Sequence, residues 1–230
     1  MNNEIDSALR SAATTDARKT ATIVAACLFL ALLLGPPAAR ADAYEEFNRA
    51  LANDDVSTLT ALLRKGMDPN TVNEKGEAAL LAAAREGSPQ VVKTLLQARA
   101  KVDVQSPFGD TPIMLAALRG SLPIVKLLRE AGAQINRPGW TPLLYAALNG
   151  HNAVIEYLLS SGADLAFNAP NGVTPIMLAV RSDKADTLKL LISYGLDVNA
   201  RNEKGESALD WARKKGSEDL ETILRQAGAR

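Results

Sequence analysis

Side chains able to carry chemistry are scarce in this chain. It has one cysteine, Cys27, and one histidine, His151. Nucleophilic catalysis needs a base beside the nucleophile, and a zinc site needs several His or Cys ligands. Neither set can be assembled here, and an internal disulfide needs a second cysteine. His151 follows Gly150 at a turn and reads as structural. The acidic pairs Glu45/Glu46, Asp54/Asp55 and Glu218/Asp219 could act as acid and base. Each stands near a helix start or repeat edge, where negative charge offsets the helix dipole, so they read as structural too. Arg213-Lys214-Lys215 could touch nucleic acid or acidic lipid, but Glu218, Asp219 and Glu221 follow closely. That run reads as a solvated helical cap. No phosphate-binding or dinucleotide glycine motif is present. The sequence assigns no catalytic residue, no metal and no cofactor, and points away from an enzyme.

Composition narrows the remaining classes. The 230 residues carry 26 Lys+Arg and 26 Asp+Glu, a formal net charge of zero, where nucleic-acid binders normally carry a basic excess. Hydrophobic residues make up 47% and charged residues 23%, which places the chain among folded proteins. Aromatics are only 4%, while alanine and leucine dominate. That favours close helix packing over a β-sandwich.

The N-terminus reads as a processing signal. Arg10, Arg18 and Lys19 precede an apolar run, Ala21 to Leu34, then Gly35-Pro36-Pro37 and Ala39-Arg40-Ala41. A basic end, a short apolar core, a breaker and a small-x-small triplet describe a secretory signal. The run is shorter than the roughly 20 residues that span a bilayer. The expectation is a signal over residues 1–41, cleaved after Ala41. Two alternatives stand beside it. Val24-Ala25-Ala26-Cys27 has the look of a lipoprotein box, but the chain stays apolar after the cysteine. An uncleaved apolar segment would tether the protein to a membrane. Arg18-Lys19 is not a twin-arginine pair, which favours the general secretory route.

The rest of the chain repeats. Thr-Pro-Ile-Met-Leu-Ala occurs at Thr111–Ala116 and at Thr174–Ala179, and Asn-Glu-Lys-Gly-Glu at Asn73–Glu77 and Asn202–Glu206. Glycines fall in three series: Gly76, Gly109, Gly139, Gly172, Gly205; Gly87, Gly120, Gly150, Gly216, with Asp183 in the gap; and Gly66, Gly132, Gly162, Gly195, Gly228, with Arg99 in the gap. The step is 33 residues except for one of 30. Glycine accepts the left-handed backbone that ends helices and closes tight turns, so Arg99 is expected at positive φ. The unit is then turn, short helix, turn, second helix, loop. Thr111-Pro112, Thr141-Pro142 and Thr174-Pro175 put a capping hydroxyl before a first-turn proline. On the second helices, apolar pairs such as Ile124/Val125 with Leu127/Leu128 make one buried face.

The segments Gly109–Gly120, Trp140–His151 and Leu158–Leu165 resemble ankyrin repeats, and the resemblance covers about Tyr44 to Arg230. It implies an all-α solenoid of about six helix-turn-helix units with projecting loops or short hairpins. The ankyrin domain, 42–230, divides into an N-cap 44–72, repeats 73–105, 106–136, 137–167 and 168–200, and a C-cap 201–230. The histidine that the family usually places after Thr-Pro-Leu is absent; Leu81, Met114, Leu144, Met177 and Asp210 stand there. Apolar packing is expected to replace most of its hydrogen bonds. The 30-residue step should shorten one finger, next to Trp140.

The resemblance also implies a binding surface made of loop tips and the outer side of the first helices. Lys75, Glu77, Arg85, Phe108, Asp110, Arg119, Trp140, Asn149 and Arg181 fall on it, along with Glu74. Phe108 is expected to be exposed; Trp140 either projects or lies flat on a neighbouring repeat. The expected function is a non-catalytic scaffold, periplasmic or secreted, that binds a partner protein along this groove. Nucleic acid and small-molecule substrates are not expected. Membrane contact is expected only through the N-terminal signal, and the protein should be monomeric.

Overall fold

The structure, a computed structural model, describes residues 37–73 and 75–230, with side chains from residue 41 onward. The apolar run, Cys27 and Glu74 lie outside the described residues. By internal contacts the chain divides into 1–47 and 48–230. Helix α1 (Pro37–Ala52) crosses that boundary, and the expected cleavage point after Ala41 falls inside it.

From there the described residues form pairs of short helices. They are α2 (Val56–Arg64), α3 (Ala79–Glu86) with α4 (Pro89–Gln97), and α5 (Pro112–Arg119) with α6 (Leu122–Glu130). Then come α7 (Pro142–Asn149) with α8 (Asn152–Ser160), α9 (Pro175–Arg181) with α10 (Ala185–Ser193), and α11 (Ala208–Lys215) with α12 (Glu218–Gln226). First helices α3, α5, α7, α9 and α11 pack in one row. Second helices α2, α4, α6, α8, α10 and α12 pack in another. This is the all-α solenoid read from the sequence.

Local chemistry explains the helix ends. Thr141 Oγ1 accepts the Leu144 N–H at 3.3 Å, and Thr174 Oγ1 accepts the Met177 N–H at 3.3 Å. Ser207 and Asp210 form a reciprocal box: Ser207 N–H donates to Asp210 Oδ2 at 2.8 Å, and Asp210 N–H to Ser207 Oγ at 3.2 Å. Thr111 differs: its hydroxyl is buried with no partner, and its N–H donates to Met114 Sδ at 3.4 Å. Leu81, Met114, Leu144 and Met177 are all buried, so apolar packing does replace the family's histidine there.

The glycine series hold in space. All fourteen repeat glycines have positive φ, and so does Arg99, at 65°. Asp183, at 58°, fills the gap in its own series. Asp54, at 55°, lies one 33-residue step before Gly87, an extension of that series that its acidic neighbour hid.

The core runs between the two rows. Alanines at the facing positions of the first helices, such as Ala84, Ala116, Ala117, Ala146 and Ala147, are wholly buried. Their small size lets the row pack closely. Leu95, Leu128, Leu158 and Leu191 seal the second row, each fully buried, which stabilises by roughly 1.5–3 kcal/mol per side chain.

A ladder of polar bonds joins the loops. Asn70 Oδ1 accepts the Lys101 N–H (2.8 Å), Asp103 Oδ1 the Gln134 N–H (3.2 Å), Asn136 Oδ1 the Asp164 N–H (2.9 Å) and Asn199 Oδ1 the Arg230 N–H (3.0 Å). Each rung ties one repeat to the next. The register position between Asn136 and Asn199 holds Ala166, which has no acceptor to offer the Asp197 N–H.

Candidate functional site

The fingers between repeats are small hairpins pinned by one side chain. Asn73 Oδ1 accepts the N–H groups of Lys75 (2.9 Å) and Glu77 (3.0 Å). Ser106 Oγ accepts those of Phe108 (3.2 Å) and Asp110 (3.1 Å). Asn202 Oδ1 accepts those of Lys204 (2.9 Å) and Glu206 (3.0 Å). Backbone pairs close these fingers, as in Ser106 N–H to Asp110 O and Gly109 N–H to Ser106 O, both 2.9 Å. Ala169 N–H to Val173 O and Gly172 N–H to Ala169 O close a fourth finger, in which Asn171 Oδ1 accepts the Val173 N–H at 3.4 Å. No such backbone pair closes the loop around Gly139, as the 30-residue step implies.

That difference sets the two aromatics apart. Phe108, on an intact finger, is 92% exposed, as expected from its place beside a hairpin glycine. Trp140, on the shortened finger, is half-buried and stacks on Tyr145 of its own repeat, with ring centroids 5.0 Å apart and 31° between planes. Its ring rests on its own first helix, at Tyr145. Tyr145 in turn donates its hydroxyl to Asp110 Oδ1 at 2.6 Å, across the repeat boundary. Burial, followed by the bond to the Asp110 carboxylate, pushes the Tyr145 pKa up, so it stays a neutral donor.

The remaining charged candidates divide into engaged and free. Arg85 pairs with Glu77 (2.5 Å) and Glu86 (3.1 Å). Arg119 Nη1 donates to the Arg85 carbonyl at 2.9 Å, and Asn149 Nδ2 to the Leu118 carbonyl at 2.6 Å. These bonds reach back to the last turn of the preceding first helix, where carbonyls lack intrahelical partners. Lys215 Nζ does the same toward the Arg181 carbonyl at 3.3 Å. His151 belongs with them: its Nε2 lies 3.0 Å from the Leu118 carbonyl, which gives the histidine a structural task. Its ring also sits where a Cβ on Gly120 would be, 2.4 Å from that position, so only glycine fits there. Lys75 and Arg181 are exposed. Their side chains make no ion pair among the described residues.

At the C-terminal end the basic run is neutralised. Arg213 lies 3.9 Å from Asp210 and 3.7 Å from Glu221, and Lys215 lies 3.6 Å from Asp183. Lys214 pairs with Glu206, whose other carboxylate oxygen accepts from Trp211 Nε1 (2.9 Å) and Asn202 Nδ2 (3.1 Å). Bonds from Lys214, Trp211 and Asn202, in that order, pull the Glu206 pKa down to about 2.

One hollow opens on this surface, about 450 Å³, lined by Asn48, Leu51, Asn73, Glu77, Ala82 and Arg85 among others. Ala82 leaves it open, because the same position holds Leu115, Tyr145, Leu178 and Trp211 in later units. Among the described residues no group of His, Cys, Asp and Glu is placed to hold a metal ion. Among them, too, no helix is long and apolar enough to cross a membrane.

Comparison with known proteins agrees with this architecture. The family model "Ankyrin repeats (3 copies)" matches residues 47–138, 80–169 and 162–230. The human neurogenic locus notch homolog protein 1 is 33% identical over 160 residues, and the mouse protein is 28% identical over the same length. The match takes in 70% of this chain and 5% of each relative. The crystal structure of the human ASB11 ankyrin repeat domain superposes with a TM-score of 0.74 at 26% identity, covering 79% of this chain and 83% of that one.

Proposed function

The chain belongs to the ankyrin-repeat family, and from that premise we propose that it is a non-catalytic scaffold binding a partner protein along the fingers and first helices. Ankyrin repeats are generally protein–protein interaction modules, and fold alone does not name the partner. The observation that carries the reading is Phe108. A phenylalanine 92% exposed on a rigid hairpin tip is of no use to the core. Aromatic anchors of this kind dominate protein interfaces. Trp140 and Tyr145, stacked and half-buried, extend the apolar surface from the next repeat. The sequence order of basic end, apolar core and Ala39-Arg40-Ala41 supports a periplasmic or secreted location after cleavage behind Ala41.

Affinity capture from an extract of the exported fraction tests both parts. Phe108→Ala combined with Trp140→Ala should weaken capture of the partner by about 2 kcal/mol or more while the far-ultraviolet dichroism stays helical. Unchanged capture overturns the groove reading. N-terminal sequencing of the recovered protein should begin at Asp42; an intact Met1, or a form lipidated at Cys27, overturns cleavage after Ala41.

A further inference from the structure

We infer that the segment bound on this face is an acidic stretch of protein carrying an apolar or aromatic residue; the inference rests on the protein-binding reading above. The fingers and first helices of the three central repeats with their closing turns, residues 106–120, 136–150 and 169–183, contain five ionisable groups of the carboxylate and guanidinium kind: Asp110, Arg119, Arg137, Arg181 and Asp183. Both carboxylates are engaged, Asp110 accepting from the Tyr145 hydroxyl at 2.6 Å and Asp183 lying 3.6 Å from Lys215 Nζ. No carboxylate pairs with Arg137 or Arg181 among the described residues. Arg119 uses one guanidinium nitrogen on the Arg85 carbonyl and keeps the rest of its donors.

The flanking units show the opposite pattern. Arg85 is held by Glu77 and Glu86, Lys214 by Glu206, Arg201 by Asp210, and Lys215 by Asp183. Lys75 and Lys204 aside, the cations on the fingers and first helices of the two ends therefore have carboxylate partners, while Arg119, Arg137 and Arg181 in the middle have none among the described residues. Between the central arginines lie the half-buried Leu115, Leu118, Tyr145 and Leu148, with Phe108 projecting beside them. Guanidinium groups take carboxylates through paired hydrogen bonds, and they are weakly hydrated enough to sit next to apolar surface. A ligand matching this face presents carboxylates spaced around an apolar anchor. A nucleic acid is also anionic, but three arginines without a lysine stripe offer few phosphate contacts, and the whole chain has no basic excess.

The test pans a displayed library of short random peptides on the purified protein, on Arg137→Glu/Arg181→Glu, and on Phe108→Ala/Trp140→Ala. Enriched peptides should be net acidic with at least one leucine or aromatic residue. Their affinity should fall about tenfold or more in the charge-reversed variant, and should weaken with added salt. Dichroism of both variants checks that the helices persist. Neutral or basic enriched peptides that still depend on Phe108 and Trp140 overturn the acidic ligand while leaving the groove in place. Enrichment that ignores both variants, or no enrichment at all, overturns the groove and the inference together. Single-stranded DNA that binds more tightly than any enriched peptide, and is lost on charge reversal, assigns the face to nucleic acid and overturns the inference.

Discussion

Thr111, Thr141 and Thr174 occupy one register position, yet only the last two hydroxyls accept a helix N–H. The Thr111 hydroxyl is buried without a partner. A buried group left unsatisfied costs roughly 1–3 kcal/mol, while losing a cap costs about 1 kcal/mol. Thr111→Val is therefore expected to hold or raise the urea midpoint, and Thr174→Val to lower it. A second residue-scale contrast concerns backbone hand. Arg99 sits at φ 65° and Gly132, in the same series, at 94°. A side chain in the left-handed region costs roughly 1–2 kcal/mol, and a new glycine adds about 0.4–1 kcal/mol of unfolded-state entropy. Arg99→Gly should be neutral to stabilising by about 1 kcal/mol at most. Gly132→Arg should destabilise by about 1 kcal/mol or more, although a Cβ there meets no atom within 4 Å. Equal losses in urea melts would mean that the turn at Arg99 is held by something other than its backbone hand.

At the scale of the element, the loop ladder makes the sharpest statement. Asn70, Asp103, Asn136 and Asn199 each accept a backbone N–H from the following repeat, and Ala166 breaks the sequence of rungs. Ala166→Asn supplies the missing acceptor for the Asp197 N–H. A net hydrogen bond is worth about 0.5–1.5 kcal/mol, so its melting midpoint should rise, and that of Asn136→Ala should fall by a similar amount. An unchanged Ala166→Asn midpoint would mean the loop there runs out of reach of Asp197. The helices, turns and caps were legible in the sequence because glycine and Thr-Pro act on their own neighbours. The ladder was not, because its donors and acceptors lie about one repeat apart and mix Asn with Asp. The same distance hid the tasks of Arg119 and Asn149, which read as surface groups but brace the preceding helix. Exposure of Phe108 was legible, since a finger tip offers nothing for a ring to lie against.

Across the whole molecule, acid should act on the ends of the row before the middle. Hydrogen bonds from Thr58 and Ser57 hold the Asp55 pKa down to about 2, in the first described repeat, and Glu206 stands at about 2 in the last. A carboxyl whose folded pKa is depressed stabilises above its unfolded value and loses that contribution as pH falls through the folded one. For Glu206 the ordinary value is 4.5, so the window runs from there down to about 2. Trp211 donates to Glu206 and is the natural reporter. In Trp140→Phe, Trp211 fluorescence should change across that window before helical dichroism is lost. Glu206→Gln should flatten the change. Simultaneous loss of both signals would place the acid-sensitive contacts in the central repeats instead.

The ladder also has a direction. In each rung the acceptor belongs to the earlier repeat and the donor to the later one, down to Arg230, whose N–H meets Asn199. A chain emerging from the ribosome completes Asn70 before Lys101 exists, and Asn136 before Asp164. Except for the repeat that carries Ala166, each finished repeat thus waits with an open acceptor for its successor, and synthesis itself sets the order in which the rungs close. A product truncated between Asn199 and Arg230 carries an unanswered carboxamide at its last loop, whereas one truncated between Asp164 and Asn199 carries none, because Ala166 offers no acceptor.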